Sequence, residues 1–465
     1  MNMINVRRLT VMTFLGAGML PGISAQSSLL QADTLQEMKI PTQWDLQSCI
    51  DYAKEQNITI RKNRITAAGT QIDVKTAKAA LFPSLSFSTG HQVVNRPYQE
   101  TSSRVSGSEI ISSNSKTSYN GNYGLNASWT LYNGNKRLKT IQQEKLNNQI
   151  AELDVATSEN NIQESIAQVY IQILYAAESV RVNENTLQVS IAQRDRGQEL
   201  LNAGSIAKSD LAQLEAQVST DRYQLVTAQA TLEDYKLQLK QLLELDGENE
   251  MNIFLPALSD ENVLAPLPAK REVYISALGL RPEIEASKLN VEASELGINI
   301  AKSSYFPTIS LSAGIGTNHT SGSDFTFGEQ VKNGWNNSIG LSVSVPIFNN
   351  RQTKSAVQKA KLQYEMSMLS LLDEQKALYK TIETLWLDAN SAQQRYAAAN
   401  EKLKSTKISY ELTSEQFNLG MKNTVELLTE KNNLLQAQQE QLQAKYMAIL
   451  NTQLLKFYQG DQLAL

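Results

Sequence analysis

The sequence predicts a mixed, mostly helical fold in which a helix–strand–strand–helix unit occurs twice. Three observations carry this. First, three anchors recur in the same order at nearly constant spacing. Leu81-Phe82-Pro83-Ser84 returns as Tyr305-Phe306-Pro307-Thr308 (307 − 83 = 224), Leu131-Tyr132-Asn133 as Ile347-Phe348-Asn349 (347 − 131 = 216), and Leu201-Asn202-Ala203-Gly204 as Phe417-Asn418-Leu419-Gly420 (420 − 204 = 216). An internal repeat has to be read before any other feature. Second, two stretches in each repeat alternate with period two and carry no charge. Third, stretches of about 66 residues keep a helical period without a proline.

Taken in order, residues 1–25 have the look of an export signal. Arg7-Arg8 precede a largely apolar run from Leu9 to Leu20, and Ile23-Ser24-Ala25 offers a small-residue cleavage site. Residues 26–43 form a polar extension. Trp44 opens repeat 1 (44–245): Asp45 can cap a helix whose Leu46, Cys49, Ile50 and Ala53 share one side, and Asn57 marks a break. A second helix runs from about Thr59 to Ala80, and Pro83 ends it.

From Phe82 the period changes to two. Leu85, Phe87 and Thr89 alternate with serines and Gly90. After a serine-rich loop from Asn95 to Ser118, Tyr119, Tyr123, Leu125, Ala127, Trp129 and Leu131 alternate with Asn120, Asn122, Asn126, Ser128 and Thr130. Strands are predicted near 82–94 and 119–132, each with one apolar face and one small polar face. Repeat 2 (272–458) does the same near 306–318 and 335–348, around a loop from His319 to Asn333. Strands of roughly ten residues with this pattern are those of transmembrane β-barrels. A half-buried soluble hairpin would tolerate the alternation, but not the lack of charge in a chain that is 19% charged.

Long helices follow, Lys136 to Leu201 and Arg351 to Phe417, each near 100 Å at about 1.5 Å per residue. Helices Lys208 to Leu243 and Val425 to Tyr458 return from the glycine turns. Residues 246–271, with Gly247, Pro256, Pro266 and Pro268, link the repeats, and 459–465 form a short tail.

Several function classes drop out. A net charge of −4 argues against nucleic acid. One cysteine and two histidines leave no CxxC or His/Cys metal cluster, so no metal or other cofactor is expected. There is no nucleophile–base pairing and no phosphate loop, so an enzyme is not expected. Four amphipathic strands cannot close a barrel, since the smallest have about eight. They imply an oligomer that shares one, though the count does not select three copies.

The duplicated order of helix, FP-strand, loop, strand, long helix, [FL]NxG turn and return helix resembles the outer-membrane efflux family typified by TolC, from Trp44 to Tyr458. The resemblance implies a homotrimer with a twelve-stranded transmembrane β-barrel in the outer-membrane lipid. A long α-helical barrel would continue it across the periplasm. It also implies a periplasmic adaptor (membrane fusion) protein and an inner-membrane RND or ABC pump as partners. The other function weighed is a non-conducting coiled-coil surface protein, for which the matched return helices have no use.

In the family the glycine turns lie at the periplasmic tips and meet the adaptor. Carried over, the tip residues are Asn202, Gly204, Asn418 and Gly420, although an ordinary αα-hairpin turn would use glycine equally. Relatives close the entrance with polar links just past the turns and ring it with acids. Asp210 and Glu426 stand six residues after each glycine, and Lys422 two after the second. Phe417 lacks the hydroxyl some relatives use there, and lysine lacks the bidentate fork of arginine. The expectation is that Glu426 lines the entrance and Lys422 pairs with Asp210, with solvated helix-end charge as the plainer account. His91 and His319 fall near the far end of the first strand of each repeat and read as polar loop-edge residues, with a metal ring as the other reading weighed. Tyr119, Tyr123, Trp129 and Trp335 fit an interfacial girdle or cross-strand packing.

Overall fold

The computed structural model describes residues 41–98, 102–106, 109–113, 116–246, 251–256, 263–321, 323 and 325–463. The expected export signal and most of the polar extension lie outside the described residues. The fold below is that of the compact unit beginning at Gln43.

Repeat 1 comprises α1 (Leu46–Gln56), α2 (Ile58–Ala79), β1 (Ser84–Asn95), β2 (Ser102–Ser106), β3 (Glu109–Ser113), β4 (Thr117–Asn133), α3 (Lys136–Asn202) and α4 (Lys208–Leu242). Repeat 2 comprises α5 (Lys270–Leu280), α6 (Pro282–Lys302), β5 (Thr308–Thr320), α7 (Phe327–Asn333), β6 (Asn336–Ser344), α8 (Gln352–Asn418) and α9 (Thr424–Gln459). The two long helices are each 67 residues. Two short elements fall where the sequence reading placed loops. The β2–β3 hairpin occupies part of 95–118, and α7 closes the 319–333 connection with a capping box between Thr326 and Glu329.

The four long strands form one antiparallel sheet in the order β1-β4-β5-β6. Its register sets the apolar residues side by side: Phe87 opposite Leu125, Leu125 opposite Ile315, Leu311 opposite Leu341, Ile309 opposite Val343. That face is left uncovered, with Phe87 68% and Ile339 79% exposed. The other face carries Ser84, Ser86, Asn126, Ser312 and Ser342, which hydrogen-bond one another or neighbouring carbonyls. Each strand-to-helix junction is made by two residues in the left-handed region, Gly134 and Asn135 in repeat 1, Asn350 and Arg351 in repeat 2. The turn thus repeats although its residues do not.

The main core lies where the repeats meet, around Trp44, Ile166, Tyr170, Tyr396, Leu450 and Leu454. Trp44 forms a parallel bridge with Ile253, its N–H donating to the Asn252 carbonyl at 2.8 Å. The buried Tyr170 hydroxyl donates to the Phe254 carbonyl at 2.6 Å. The far end of the linker is held by repeat 2. Gln393 Nε2 donates to the carbonyls of Val263 and Ala265, and Trp386 Nε1 to that of Pro268.

The two helix breaks, 224 residues apart (281 − 57), are secured differently. Asn57 caps α2 and donates through Nδ2 to the Leu242 carbonyl at 3.0 Å. Arg281 is buried, pairs with Glu164 at 2.6 Å and Glu283 at 2.9 Å, and lies over the Tyr458 ring at 3.9 Å. Burial raises the Glu164 pKa, which the Arg281 hydrogen bond and charge oppose.

Candidate functional site: the hairpin tips

Each hairpin turns in the same way because each needs one residue at positive φ. Gly204 has φ +74° and Gly420 φ +77°, with open space where a Cβ would stand. The Ser205 N–H reaches the Leu200 carbonyl and the Gly204 N–H that of Leu201. In repeat 2, Met421 reaches Gln416 and Gly420 reaches Phe417. This doubly bonded ending is the Schellman motif, which a left-handed glycine completes without Cβ strain. Asn202 and Asn418 are exposed beside the glycines, and Leu419 and Met421 are 69% and 71% exposed.

The return helices begin with their own acids. Asp210 accepts from the Ala207 N–H at 3.0 Å. Ala207 has no side-chain acceptor, so only half of a capping box forms there. At the other tip the box is complete: Asn423 accepts from the Glu426 N–H at 2.9 Å, and Glu426 from the Asn423 N–H at 3.1 Å. Glu426 also pairs with Lys422. The Lys422 hydrogen bond, then that of the Asn423 N–H, holds the Glu426 carboxyl below the usual carboxylate range.

This corrects the expected Lys422–Asp210 pair within the chain. Lys422 stands four residues before Glu426, within reach on the same turn, whereas the Asp210 carboxylate is engaged by its own helix start. Phe417 also has a plainer role than a missing hydroxyl. It is buried against Leu214 and Leu427, packing the two hairpins together just behind the tips.

Further along lies a feature the sequence reading missed. Lys431 of α9 pairs with Asp221 of α4 and donates to Ser190 of α3, and Ser190 donates to Asp221. Gln217 Nε2 fills the second carboxylate oxygen at 2.9 Å. Lys431 is 3% exposed, Asp221 1% and Ser190 2%. Desolvation lowers the Lys431 pKa, and Asp221 opposes that shift. A sequence signal existed. Lys431 falls between Leu427 and Leu435 at helical spacing, and Asp221 follows Leu214 and Val218, so each charge interrupts an apolar stripe.

An uncovered amphipathic sheet and duplicated helical hairpins with matched tips describe a channel-type outer-membrane protein. The profile of the family described as Outer membrane efflux protein matches residues 49–244 and 273–460, and the chain belongs to that family. The chain is similar to outer membrane efflux protein BepC of Brucella suis biovar 1 (strain 1330), at 24% identity over 294 residues. That match covers 63% of this chain and 61% of BepC. It is also similar to outer membrane protein TolC of Escherichia coli (strain K12), 22% identical over 441 residues, covering 92% of this chain and 82% of TolC. Among solved structures, CusC superposes with a TM-score of 0.76 at 18% identity, covering 90% of this chain and 93% of CusC, which shows the same fold. The protein is thus placed in the outer membrane, with its helical part in the periplasm.

Proposed function

We propose that the chain is one third of a passive exit duct. Three copies share a twelve-stranded barrel in the outer membrane, and their hairpins form an α-helical tube through the periplasm. A periplasmic adaptor engages the tips at Asn202, Gly204, Asn418 and Gly420, and an inner-membrane RND or ABC pump delivers the cargo. Asp210 and Glu426 line the closed entrance, with Lys422 neutralising Glu426.

The observation that carries this reading is the sheet. Among the described residues, β1 and β6 each have one unpaired edge, and the apolar face is uncovered. In hydrocarbon each unpaired backbone group costs several kcal/mol. Copies of the same sheet, joined edge to edge, remove that cost and bury the apolar face in lipid. The test is the native mass of the protein extracted from outer membranes in mild detergent, corrected for bound detergent. Three copies are expected, with ion conductance after reconstitution in a planar bilayer. A stable monomer would overturn the shared barrel.

A further inference from the structure

The only two histidines of the chain stand 228 residues apart (319 − 91), yet the sheet brings them together. His91 on β1 and His319 on β5 are both in register with Gly121 on β4, the strand between them. All three positions lie on the apolar face, beyond Tyr123 and Leu125. Gly121 is what lets the two rings converge. A Cβ there would lie 2.6 Å from His319 Nδ1 and 3.2 Å from His91 Nδ1, so both nitrogens crowd one point above the glycine.

The hydrogen bonds around them fix which lone pairs are available. Thr89 Oγ1 donates to the Asn122 carbonyl at 3.0 Å, so it accepts from His91 Nε2, also at 3.0 Å. That tautomer leaves Nδ1 of His91 as an acceptor, met by the Tyr119 hydroxyl at 2.7 Å. Nδ1 of His319 is shielded from solvent and has no hydrogen-bond partner among the described residues. Tyr119, Tyr123 and Phe327 wall the His319 ring, with centroids at 5.1, 6.2 and 4.9 Å. A buried imidazole nitrogen without a partner is costly to keep, and the point above Gly121 that His91 Nδ1 also approaches suggests what it is for.

We propose that His91 and His319 bind one divalent late-first-row transition-metal ion per chain through their Nδ1 atoms, the ion replacing the Tyr119 hydroxyl proton on His91 Nδ1 and taking the phenol oxygen as a third donor. No group of three or more His, Cys, Asp or Glu able to hold a metal ion exists among the described residues, so this is a two-imidazole site with the phenol as its third ligand. Metal–nitrogen bonds of about 2.0–2.1 Å set the two nitrogens roughly 3.3 Å apart around a tetrahedral ion, and the missing side chain at Gly121 leaves room for the rings to meet there. Two imidazoles select Cu(II) most strongly, then Zn(II) or Ni(II), and discriminate against Mg(II) and Ca(II), which prefer oxygen ligands.

The experiment uses the full chain in detergent, without a histidine tag, titrated with Cu(II) and read by electron paramagnetic resonance and calorimetry. The expected result is one Cu(II) per chain with nitrogen hyperfine structure from imidazole, unaffected by excess Mg(II). Affinity falls at least tenfold in His91→Ala and in His319→Ala, and the nitrogen signal is lost in the double variant. Both side chains are on the sheet surface, and unchanged circular dichroism confirms that the variants fold. Unchanged Cu(II) binding in the double variant, or no binding by the wild type at micromolar Cu(II), would overturn the proposal. Neither outcome bears on the shared barrel, which the native mass tests separately.

Discussion

Replacing Asp221 by Ala should loosen the hairpins by about 3–5 kcal/mol, because it leaves the Lys431 ammonium buried without its anion. Two routes reach that size. Breaking one partner of a buried pair costs about this much in general. Alternatively the lysine escapes by losing its proton. Holding neutral at pH 7 a group that ordinarily titrates near 10.5 costs about 1.36 kcal/mol per unit, an upper bound of roughly 4.8 kcal/mol that the already depressed wild-type pKa reduces. The sign with pH is fixed. Lys431 already has a depressed pKa in the folded protein, so the unfolded state holds more protons between that value and 10.5, and stability rises with pH through this window. Loss of Asp221 depresses the folded pKa further and widens the window downward. The deficit of Asp221→Ala relative to wild type should therefore be greatest near neutrality and shrink toward pH 10. Hydrogen exchange of the α9 amides from Val425 to Leu435, measured from pH 7 to pH 10 and corrected for intrinsic rates, reads this locally. The triple variant Ser190→Ala, Asp221→Leu, Lys431→Met should recover wild-type protection, since well-packed apolar replacements of buried pairs are often neutral or stabilising. A deficit under about 1 kcal/mol, or one constant with pH, would refute the reasoning.

Other outcomes follow from the tips. Lys422→Ala should raise the conductance of the closed channel in a planar bilayer; an unchanged closed state would remove the Lys422–Glu426 pair from the gate. The Glu426 pKa is depressed, so the contribution of this pair is present above the ordinary value of 4.5 and is lost as pH falls through the folded value. Wild-type leak should therefore increase in acid, and in Lys422→Ala it should increase less. Phe417→Ala, which empties the Leu214–Leu427 contact, should cost about 3–5 kcal/mol and accelerate proteolysis at the tips. Wild-type resistance would mean that this cluster does not hold the hairpins together. Gly420→Ala meets no atom within 4 Å but must adopt φ +77°, so the strain is only about 1–2 kcal/mol. Loss of adaptor crosslinking in a correctly folded Gly420→Ala protein would mark the tip as a docking point, whereas undiminished crosslinking would count against it.

The architecture was readable because repetition, period and punctuation are local signals. The observed strands Ser84–Asn95 and Thr308–Thr320 begin just after the Phe-Pro anchors, and the hairpins turn at the two glycines. The β2–β3 hairpin and α7 were not read, since a serine-rich stretch and a seven-residue helix have no periodicity long enough to register. The tip acids were legible as positions but not as partners. The Asp210 and Glu426 carboxylates are spoken for by backbone N–H groups of their own helix starts, a local competition that comparison of spacing ignores. The Lys431–Asp221 pair joins residues 210 apart (431 − 221), and no sequence window links them. Likewise, nothing along the chain says that Gly121 would stand between two histidines.

The connection between the repeats is fastened independently at its two ends. Its first part is stitched to Trp44 and Tyr170, and its second to Trp386 and Gln393, with Pro256 and Val263 as the nearest described residues on either side. Each half of the chain thus carries its own clasp. A break introduced between residues 256 and 263 would leave both clasps intact, so the protein should assemble from two separately translated polypeptides.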